Sequence, residues 1–192
     1  MATKDRTKRE IVTAACLLMK DRTIEQVTVA DICAVADVSR QTFYRYFADK
    51  YEVTTCYIQQ LLEGAFDDLG ETIGWHQAYL REFRNIEASV RSNPNALRGF
   101  VESDDYNSVV PSTGRSGLGD FSACFRRRYG KDPSELVFFQ MRWFSTLASL
   151  VTTDWIRGGC LVAAEHLADM IVTLIPQELR ESLDVDEARS GE

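Results

Sequence analysis

The sequence contains no long hydrophobic run, and this absence excludes a chain that crosses a membrane as a helix. No segment approaches the roughly 18 consecutive apolar residues that such a helix needs. The opening residues, MATKDRTKRE, are charged and lack the apolar region of a secretory signal peptide. The sequence therefore predicts a cytoplasmic protein.

Cysteine and histidine are few and scattered, which argues against metal, disulfide or catalytic chemistry. The five cysteines lie far apart and never form a C-x-x-C motif, so neither a disulfide framework nor a zinc site is expected. They are either reduced thiols packed as small hydrophobic side chains or, as the alternative, include a redox-responsive thiol. The two histidines, His76 and His166, are isolated and accompany no recognisable nucleophile or base. The sequence thus predicts no enzyme, no cofactor and no metal.

A surplus of positive charge is also missing, since the formal net charge is −7. The charge is unevenly distributed, however, with a net charge of +1 over residues 1–60 and −8 over residues 61–192. Lys4, Arg6, Lys8 and Arg9 make the N-terminus locally basic. A local basic surface is compatible with nucleic-acid binding even in an acidic protein.

Strand signals are nearly absent, and apolar residues recur at helical spacing along most of the chain, which predicts an all-α fold. The expected helices cover about 4–21, 29–36, 40–46, 49–72, 75–92, 95–103, 119–129, 134–157 and 161–175, and a short turn is expected near 177–183. The stretch from Ser103 to Gly119 is rich in Ser, Gly and Asp and contains Pro111, so a mobile loop is expected there. The predicted domains are a small N-terminal bundle at 1–50, a larger C-terminal bundle at 51–183 and a polar tail at 184–192.

Residues 28–53 have the pattern of short helices separated by tight turns. Thr28 and Asp31 have the spacing of a capping box, which starts a helix. A break follows at Asp37-Val38, and Ser39 can cap the next helix. Two short helices joined by such a turn describe a helix-turn-helix.

The second of these helices divides into two faces. Phe43 and Phe47 are four residues apart and point inward, so the remaining side chains point outward. These outward residues are Arg40, Gln41, Thr42, Tyr44, Arg45 and Tyr46. Arginine and glutamine pair with base edges in the major groove, and hydroxyl groups reach phosphates. A DNA-binding helix is the favoured interpretation, and a helical hairpin inside a core is the alternative.

Together with the first helix, the helix-turn-helix pattern makes residues 7–60 resemble the TetR family of bacterial regulators. In the first helix the matching positions are Ile11, Ala14, Ala15, Leu18 and Met19. In the helix-turn-helix they are Thr28, Asp31, Ile32, Ala36, Val38, Ser39, Thr42, Tyr44, Tyr46, Phe47, Lys50 and Glu52. The chain departs from the family at Thr23 and Asp37, where glycine is usual. Asp37 tolerates a left-handed backbone, whereas Thr23 does not, so the exit from the first helix is expected to differ.

The resemblance implies a set of DNA contacts. Phosphates would be held by Thr28, Ser39, Tyr44 and Lys50, and bases would be faced by Arg40, Gln41, Thr42 and Tyr46. Lys4, Arg6 and Lys8 would reach the DNA backbone from the start of the first helix. The implied protein is a homodimeric transcription regulator, more often a repressor than an activator, which binds a pseudo-palindromic operator and responds to a small-molecule effector. A protein-interaction module is the competing function, and salt dependence of binding would separate the two.

The C-terminal part carries the expected partner surface. Residues 134–157 are apolar on nearly every face, and a helix of this kind must be covered on all sides. The resemblance implies that this helix and 161–175 form a four-helix dimer interface, and a central core helix of a monomer is the alternative. The segment Asp154–Gly159 also resembles the W-x-x-x-G turn of a TetR subgroup that includes regulators of dihydroxyacetone kinase operons.

Two further groups of residues in this part were open to two interpretations. An effector pocket or a filled aromatic core would be built from Trp75, Tyr79, Phe83, Phe100, Phe121, Phe125 and Trp143. The basic run Arg126–Arg128 is either a solvated helix end, favoured by the helix dipole, or a contact for an anion.

Overall fold

The computed structural model describes residues 2–95 and 106–185, with side chains over 6–95 and 113–185, and confirms the all-α class. The helices in the described residues are α1 (Ala2–Leu18), α2 (Val29–Ala36), α3 (Arg40–Tyr46), α4 (Lys50–Leu62), α5 (Trp75–Ser92), α6 (Tyr106–Tyr129), α7 (Glu135–Arg157), α8 (Ala164–Thr173) and α9 (Gln177–Leu183). Within this part of the chain, β-structure is limited to an isolated bridge between Leu69 and Ile73. None of the described helices is long and apolar enough to cross a membrane.

The chain divides into two compact units. The first unit contains the described residues up to Leu61 and those from Ala88 to 95, and the second contains Leu62–Glu87 and the described residues from 106 onward. The first unit extends past residue 50 because Val53 and Cys56 of α4 are buried in its core. The helix predicted at 95–103 falls largely outside the described residues.

The core of the first unit is built by the apolar faces of α1, α2, α3 and α4. Ile11 and Ala15 of α1, Ile32 of α2 and Phe43 of α3 are each 0% exposed. Burying a side chain of the size of isoleucine or phenylalanine contributes about 1.5–3 kcal/mol. The core therefore holds the short helix α3 in place although seven residues are too few for a stable isolated helix.

The exit from α1 differs from a glycine-terminated helix, as the sequence predicted. The helix ends at Leu18, and the chain then makes a separate turn. The amides of Gln26 and Val27 donate to the carbonyl of Thr23 at 3.0 and 3.2 Å, and the Thr23 amide donates to the Gln26 side chain at 3.0 Å. Thr23 is not among the non-glycine residues of the described chain with positive φ, which are Asp37 and Cys160.

The second unit has a filled aromatic core rather than an open cavity at its centre. Trp75 and Tyr79 of α5 pack against Phe121 of α6 and Phe144 of α7, with ring centroids 5.0 to 6.3 Å apart. Phe83 packs in the same way on Trp155 at 5.4 Å. Aromatic pairs at these distances, whether stacked or edge-to-face, are in favourable contact. The rings of these predicted pocket residues therefore pack on one another and fill the space between them.

Residues 106–119, predicted as part of a mobile loop, form the first half of helix α6 instead. The small residues that suggested a loop serve close packing of α6 against α7. A Cβ added at Gly114 would lie 3.2 Å from the Cα of Thr146, and one at Gly117 would lie 3.4 Å from the Cβ of Ser145. Tertiary packing thus overrides the low helix propensity of glycine, which costs about 1 kcal/mol per residue.

Gly114 gives a direct test of this packing. We expect Gly114→Leu to destabilise the protein by about 1–3 kcal/mol, because the new side chain would push against the backbone of α7. Gly119→Leu in the same helix is the matched control, since a Cβ there meets nothing within 4 Å. It should be neutral or stabilising by up to about 1 kcal/mol in urea unfolding. Equal losses at both positions would contradict the close approach.

The basic run at the end of α6 binds the protein's own backbone and carboxylates. Arg126 pairs with Asp132 at 2.6 Å, and Arg127 pairs with Glu71 at 2.5 Å. Arg128 donates to the carbonyls of Gly70 and Asp184 at 2.8 and 2.6 Å. The run therefore links α6 to two surrounding loops, and these intramolecular contacts argue against the anion-contact interpretation.

The cysteines are free thiols. Burial raises the pKa of the Cys16 thiol to about 12, and burial together with the nearby Glu87 raises the pKa of the Cys160 thiol to about 11. Since the thiolate is the reactive form, both side chains stay protonated and unreactive near neutral pH. This favours packed thiols over a redox-responsive site.

Candidate nucleic-acid interface

The start of α2 is fixed by the predicted capping box. The amide of Asp31 donates to Thr28 Oγ1 at 3.1 Å, and the amide of Thr28 donates to Asp31 Oδ2 at 3.0 Å. The Arg22 guanidinium adds a second contact to the Asp31 carboxylate at 3.3 Å. Hydrogen bonds to the Asp31 carboxylate stabilise its charged form and therefore lower its pKa. The largest contribution comes from the Thr28 backbone. Thr28 itself is exposed.

The turn between α2 and α3 has the geometry that its sequence predicted. Asp37 adopts the left-handed conformation with φ 51° and ψ 48°, and the Val38 amide donates to the Cys33 carbonyl at 3.0 Å. Ser39 then caps α3 by accepting a hydrogen bond from the Thr42 amide at 3.0 Å. The turn and cap together set the direction in which α3 leaves α2.

Helix α3 has one buried and one exposed side. Phe43 is 0% exposed and Phe47, immediately after the helix, is 2% exposed, so both anchor the helix in the core of the first unit. The exposed side chains are those of Arg40, Gln41, Tyr44 and Arg45, and we call this set the α3 outer face. Tyr44 is 57% exposed. Such a surface of donors on a short capped helix fits the edges of bases in a major groove.

Two of the residues predicted to face bases lie off this outer face. Tyr46 is half-buried against the core of the first unit, because it follows Phe43 by three residues and therefore lies on the inner side. Thr42 is also half-buried, and its hydroxyl pairs with Ser39 Oγ at 3.0 Å. Arg45 takes the exposed place instead, with its guanidinium 5.2 Å from the Tyr46 ring centroid. Arg45 was already among the outward residues predicted from the spacing of Phe43 and Phe47.

The N-terminal cations predicted to reach the DNA backbone are described only in part. The Lys4 side chain lies outside the described residues. Arg6 is exposed and pairs with Glu10 one turn later at 3.0 Å. Lys8 is half-buried with its ammonium 5.7 Å from the Phe47 ring centroid, which places it beside the end of α3.

The Lys50 ammonium is bonded within the protein, whereas a lysine that served only to bind phosphate would extend into solvent. Its ammonium donates hydrogen bonds to the carbonyls of Glu25 and Val27, both at 2.9 Å. The side chain is half-buried, and Nζ lies 5.3 Å from the Tyr51 ring centroid. Two of its three donors are therefore used within the protein.

The second unit leaves an apolar stripe exposed on α7. Phe139 is 60% exposed, Trp143 is 56% exposed and Leu147 is 39% exposed, and Leu136 continues the stripe toward the start of the helix. The spacing of these residues places them on one side of the helix. Phe144 and Ala148, in contrast, are buried on its other side. Trp143, predicted to line either an effector pocket or a filled aromatic core, therefore lies on the exposed side of α7 instead.

A smaller apolar stripe lies at the end of α8, where Met170 and Leu174, the residue that follows the helix, are 40% and 49% exposed. Its opposite side is buried through Leu167, Ala168 and Ile171. Contiguous exposed apolar surface on a folded unit marks a site of association more often than a solvent face.

Of the remaining predicted pocket residues, Phe125 is buried and packs on Tyr129 with centroids 4.6 Å apart, whereas Phe100 lies outside the described residues. A separate cavity of about 430 Å³ opens at the start of α5. Its wall is formed by Thr72, Gly74, Trp75, His76, Gln77, Val172, Arg180, Asp184 and Val185. Its volume lies within the usual range for a small-molecule site.

The W-x-x-x-G segment forms a closed turn at the end of α7. The Cys160 amide donates to the Trp155 carbonyl at 3.0 Å, with Gly159 at φ 76° and Cys160 at φ 53°. The Trp155 indole donates to the Val162 carbonyl at 2.8 Å. Trp155 thus closes this turn through hydrogen bonds of its carbonyl and its indole, and its ring also packs in the aromatic core.

These features define a helix-turn-helix protein in which one side of α3 is exposed and the second unit is helical. The family of bacterial regulatory proteins called tetR matches residues 11–54. This match confirms the predicted resemblance of the N-terminal part to the TetR family, whose members are DNA-binding transcription regulators and not enzymes.

Two further comparisons concern the protein DhaS. The chain is 28% identical over 81 residues to the HTH-type dhaKLM operon transcriptional activator DhaS of Lactococcus lactis subsp. lactis (strain IL1403). That match spans 42% of this chain and only 43% of the relative. The solved structure of the dihydroxyacetone kinase operon activator DhaS shares the fold, with a TM-score of 0.61 at 22% identity over 93% of this chain and 98% of that one.

A TetR-family transcriptional regulator from Streptomyces coelicolor also shares the fold. Its TM-score is 0.54 at 16% identity, and the similarity covers 89% of this chain and 79% of that one. At this level of identity the likeness concerns the arrangement of helices alone.

Proposed function

We propose that this chain is a homodimeric, cytoplasmic transcription regulator that reads a pseudo-palindromic operator with two copies of the α3 outer face. The observation that carries the proposal is the division of α3, in which buried Phe43 and Phe47 hold exposed Arg40 and Gln41 away from the core. A helix held in this way can enter a major groove without unfolding any part of its support.

The exposed stripes on α7 and α8 support the dimer. Leu136, Phe139, Trp143 and Leu147 are a costly set of side chains to leave in water, and a second subunit would cover them. Pairing about a twofold axis places two reading helices about one helical turn of DNA apart, roughly 34 Å. The operator is therefore proposed to contain two related half-sites.

The first test is the loss of base preference on changing Arg40. We expect Arg40→Ala to weaken binding to a selected operator by about 1–3 kcal/mol and to relax the preference at one base step per half-site. Binding to random duplex should change much less. Fluorescence anisotropy on both duplexes, at several salt concentrations, measures the difference.

Gln59→Ala is the matched control for this series, since Gln59 is exposed on α4 of the same unit. It should bind operator and random duplex like the parent. If Arg40→Ala also retained the parental preference, the proposed role of the α3 outer face would be wrong. Binding that failed to weaken with rising salt would instead favour a protein partner.

We further propose that an effector acts through the second unit, in the cavity lined by Trp75, His76 and Arg180. The aromatic rings around Tyr79 and Phe121 are in contact with these two residues, so the filled core leaves no comparable space between them. A thermal-shift screen of small molecules on the parent and on Thr72→Trp tests this. Thr72 is exposed on the cavity wall, so a bulky side chain there would fill the cavity and abolish a true ligand's shift.

The sign of regulation is part of the proposal. The family resemblance favours repression, whereas the DhaS relatives are named as activators and make activation the alternative. A reporter joined to the selected operator distinguishes the two. Repression predicts that expression rises when the chain is removed, and activation predicts that it falls.

A further inference from the structure

Lys50, the first residue of α4, is bonded to a distant part of the first unit. Its ammonium donates to the carbonyls of Glu25 and Val27, which precede it by 25 and 23 residues. Both distances are 2.9 Å, the length expected of a charge-assisted hydrogen bond. The start of α4 is therefore tied to residues 23–27, which we call the α1–α2 connector.

The connector leads directly into the capping box of α2. Its own turn is closed by the amides of Gln26 and Val27 on the Thr23 carbonyl. The Val27 carbonyl belongs to the peptide unit that joins Val27 to Thr28. A hydrogen bond to that carbonyl therefore restricts the orientation of the peptide whose amide caps Asp31 Oδ2.

We infer that Lys50 is a positioning residue for DNA binding, which acts by holding the α1–α2 connector so that Thr28 and the first turn of α2 meet a phosphate. This inference rests on the proposed function. It replaces the simpler expectation that Lys50 contributes only a free charge to the DNA backbone. Its third N–H remains able to donate to the same phosphate.

The test begins with the protein free of DNA. Lys50→Met keeps the aliphatic stem and removes both hydrogen bonds. We expect amide hydrogen exchange over residues 27–32 to quicken about tenfold, since Ile32 and Asp31 donate to Thr28. Lys20→Met is the matched control, because Lys20 is an exposed lysine of the same unit, and its exchange should be parental.

The second arm measures affinity for operator duplex at one salt concentration. Lys50→Met should weaken binding about tenfold, a loss typical of a charge-assisted hydrogen bond. Thr28→Ala should then weaken it little further, although it has a clear effect in the parent, because Thr28 is already misplaced. Lys50→Arg, which retains charge and donors, should restore most of the affinity and the slow exchange.

The outcomes separate this inference from the proposed function. Weak DNA binding by Lys50→Met with parental exchange and additive Thr28→Ala effects would overturn the positioning role and leave the regulator intact. A parent that binds no duplex would overturn the proposed function and this inference with it. If Lys50→Met fails to fold, the Lys50 ammonium protons of the parent are measured by NMR. Slow exchange of these protons without DNA supports the hydrogen bonds, and fast exchange contradicts them.

Discussion

Trp143→Asp is expected to convert the proposed dimer into monomers. Trp143 is 56% exposed on α7, so a charged side chain at this position should leave the folded subunit unchanged. In a dimer that covers the stripe, the same carboxylate would be buried without a partner, which costs several kcal/mol. We expect the dimer dissociation constant to rise at least about a hundredfold, as for an interface anchor.

Sedimentation equilibrium measures this change, and urea unfolding confirms that the subunit is still folded. Leu161→Asp is the matched control, because Leu161 is 91% exposed but lies in the loop after α7 and outside both stripes. It should remain dimeric. Binding to the full operator should fall in Trp143→Asp while binding to an isolated half-site is retained. A variant that stays as dimeric as the parent would show that the α7 stripe is not the interface.

Glu82→Gln is expected to stabilise the protein, with an effect that depends on pH. Glu82 is 8% exposed in the second unit. Burial, and then the nearby Asp120 carboxylate, raises the pKa of Glu82 to about 8. In the unfolded chain its pKa returns to about 4.5, so the folded state retains a proton that the unfolded state releases.

The direction of the pH dependence of stability follows from this difference between the folded and unfolded pKa. The stabilising contribution of protonated Glu82 is fully present below pH 4.5 and is lost as the pH rises toward 8. At neutral pH the loss is on the order of 3 kcal/mol. Glutamine has nearly the same size and no charge, so Glu82→Gln should gain on the order of 1–3 kcal/mol near pH 7 and little below pH 5.

Urea unfolding at several pH values between 4.5 and 8 measures the gain. The control is Glu63→Gln, since Glu63 is an exposed glutamate assigned to the same unit, and its stability should follow the parental pH curve. A constant offset between Glu82→Gln and the parent at all pH values would contradict a raised pKa at Glu82.

Local signals made the helix-turn-helix predictable from the sequence. The capping box at Thr28, the left-handed Asp37 and the cap at Ser39 each act within three or four residues, and all were found as expected. The burial of Phe43 and Phe47 follows from their spacing alone.

Features that depend on distant parts of the chain were less predictable. The first half of α6 has poor helix formers, and its packing against Ser145 and Thr146 of α7 explains why Gly114 and Gly117 are helical. The exposure of Trp143 could not be assigned because residues 134–157 are apolar on nearly every side. The bonds from Lys50 join residues more than 20 positions apart and leave no mark in local spacing.

The central claim is that the α3 outer face of two paired subunits lies against base edges. The most direct measurement is cleavage of the selected operator by Gln41→Cys carrying an iron–EDTA reagent. We predict two cleavage sites within major grooves, related by twofold symmetry and about one helical turn apart. The same reagent on Gln59→Cys should give no such pair. A single site, or cleavage spread evenly along the duplex, would contradict the account.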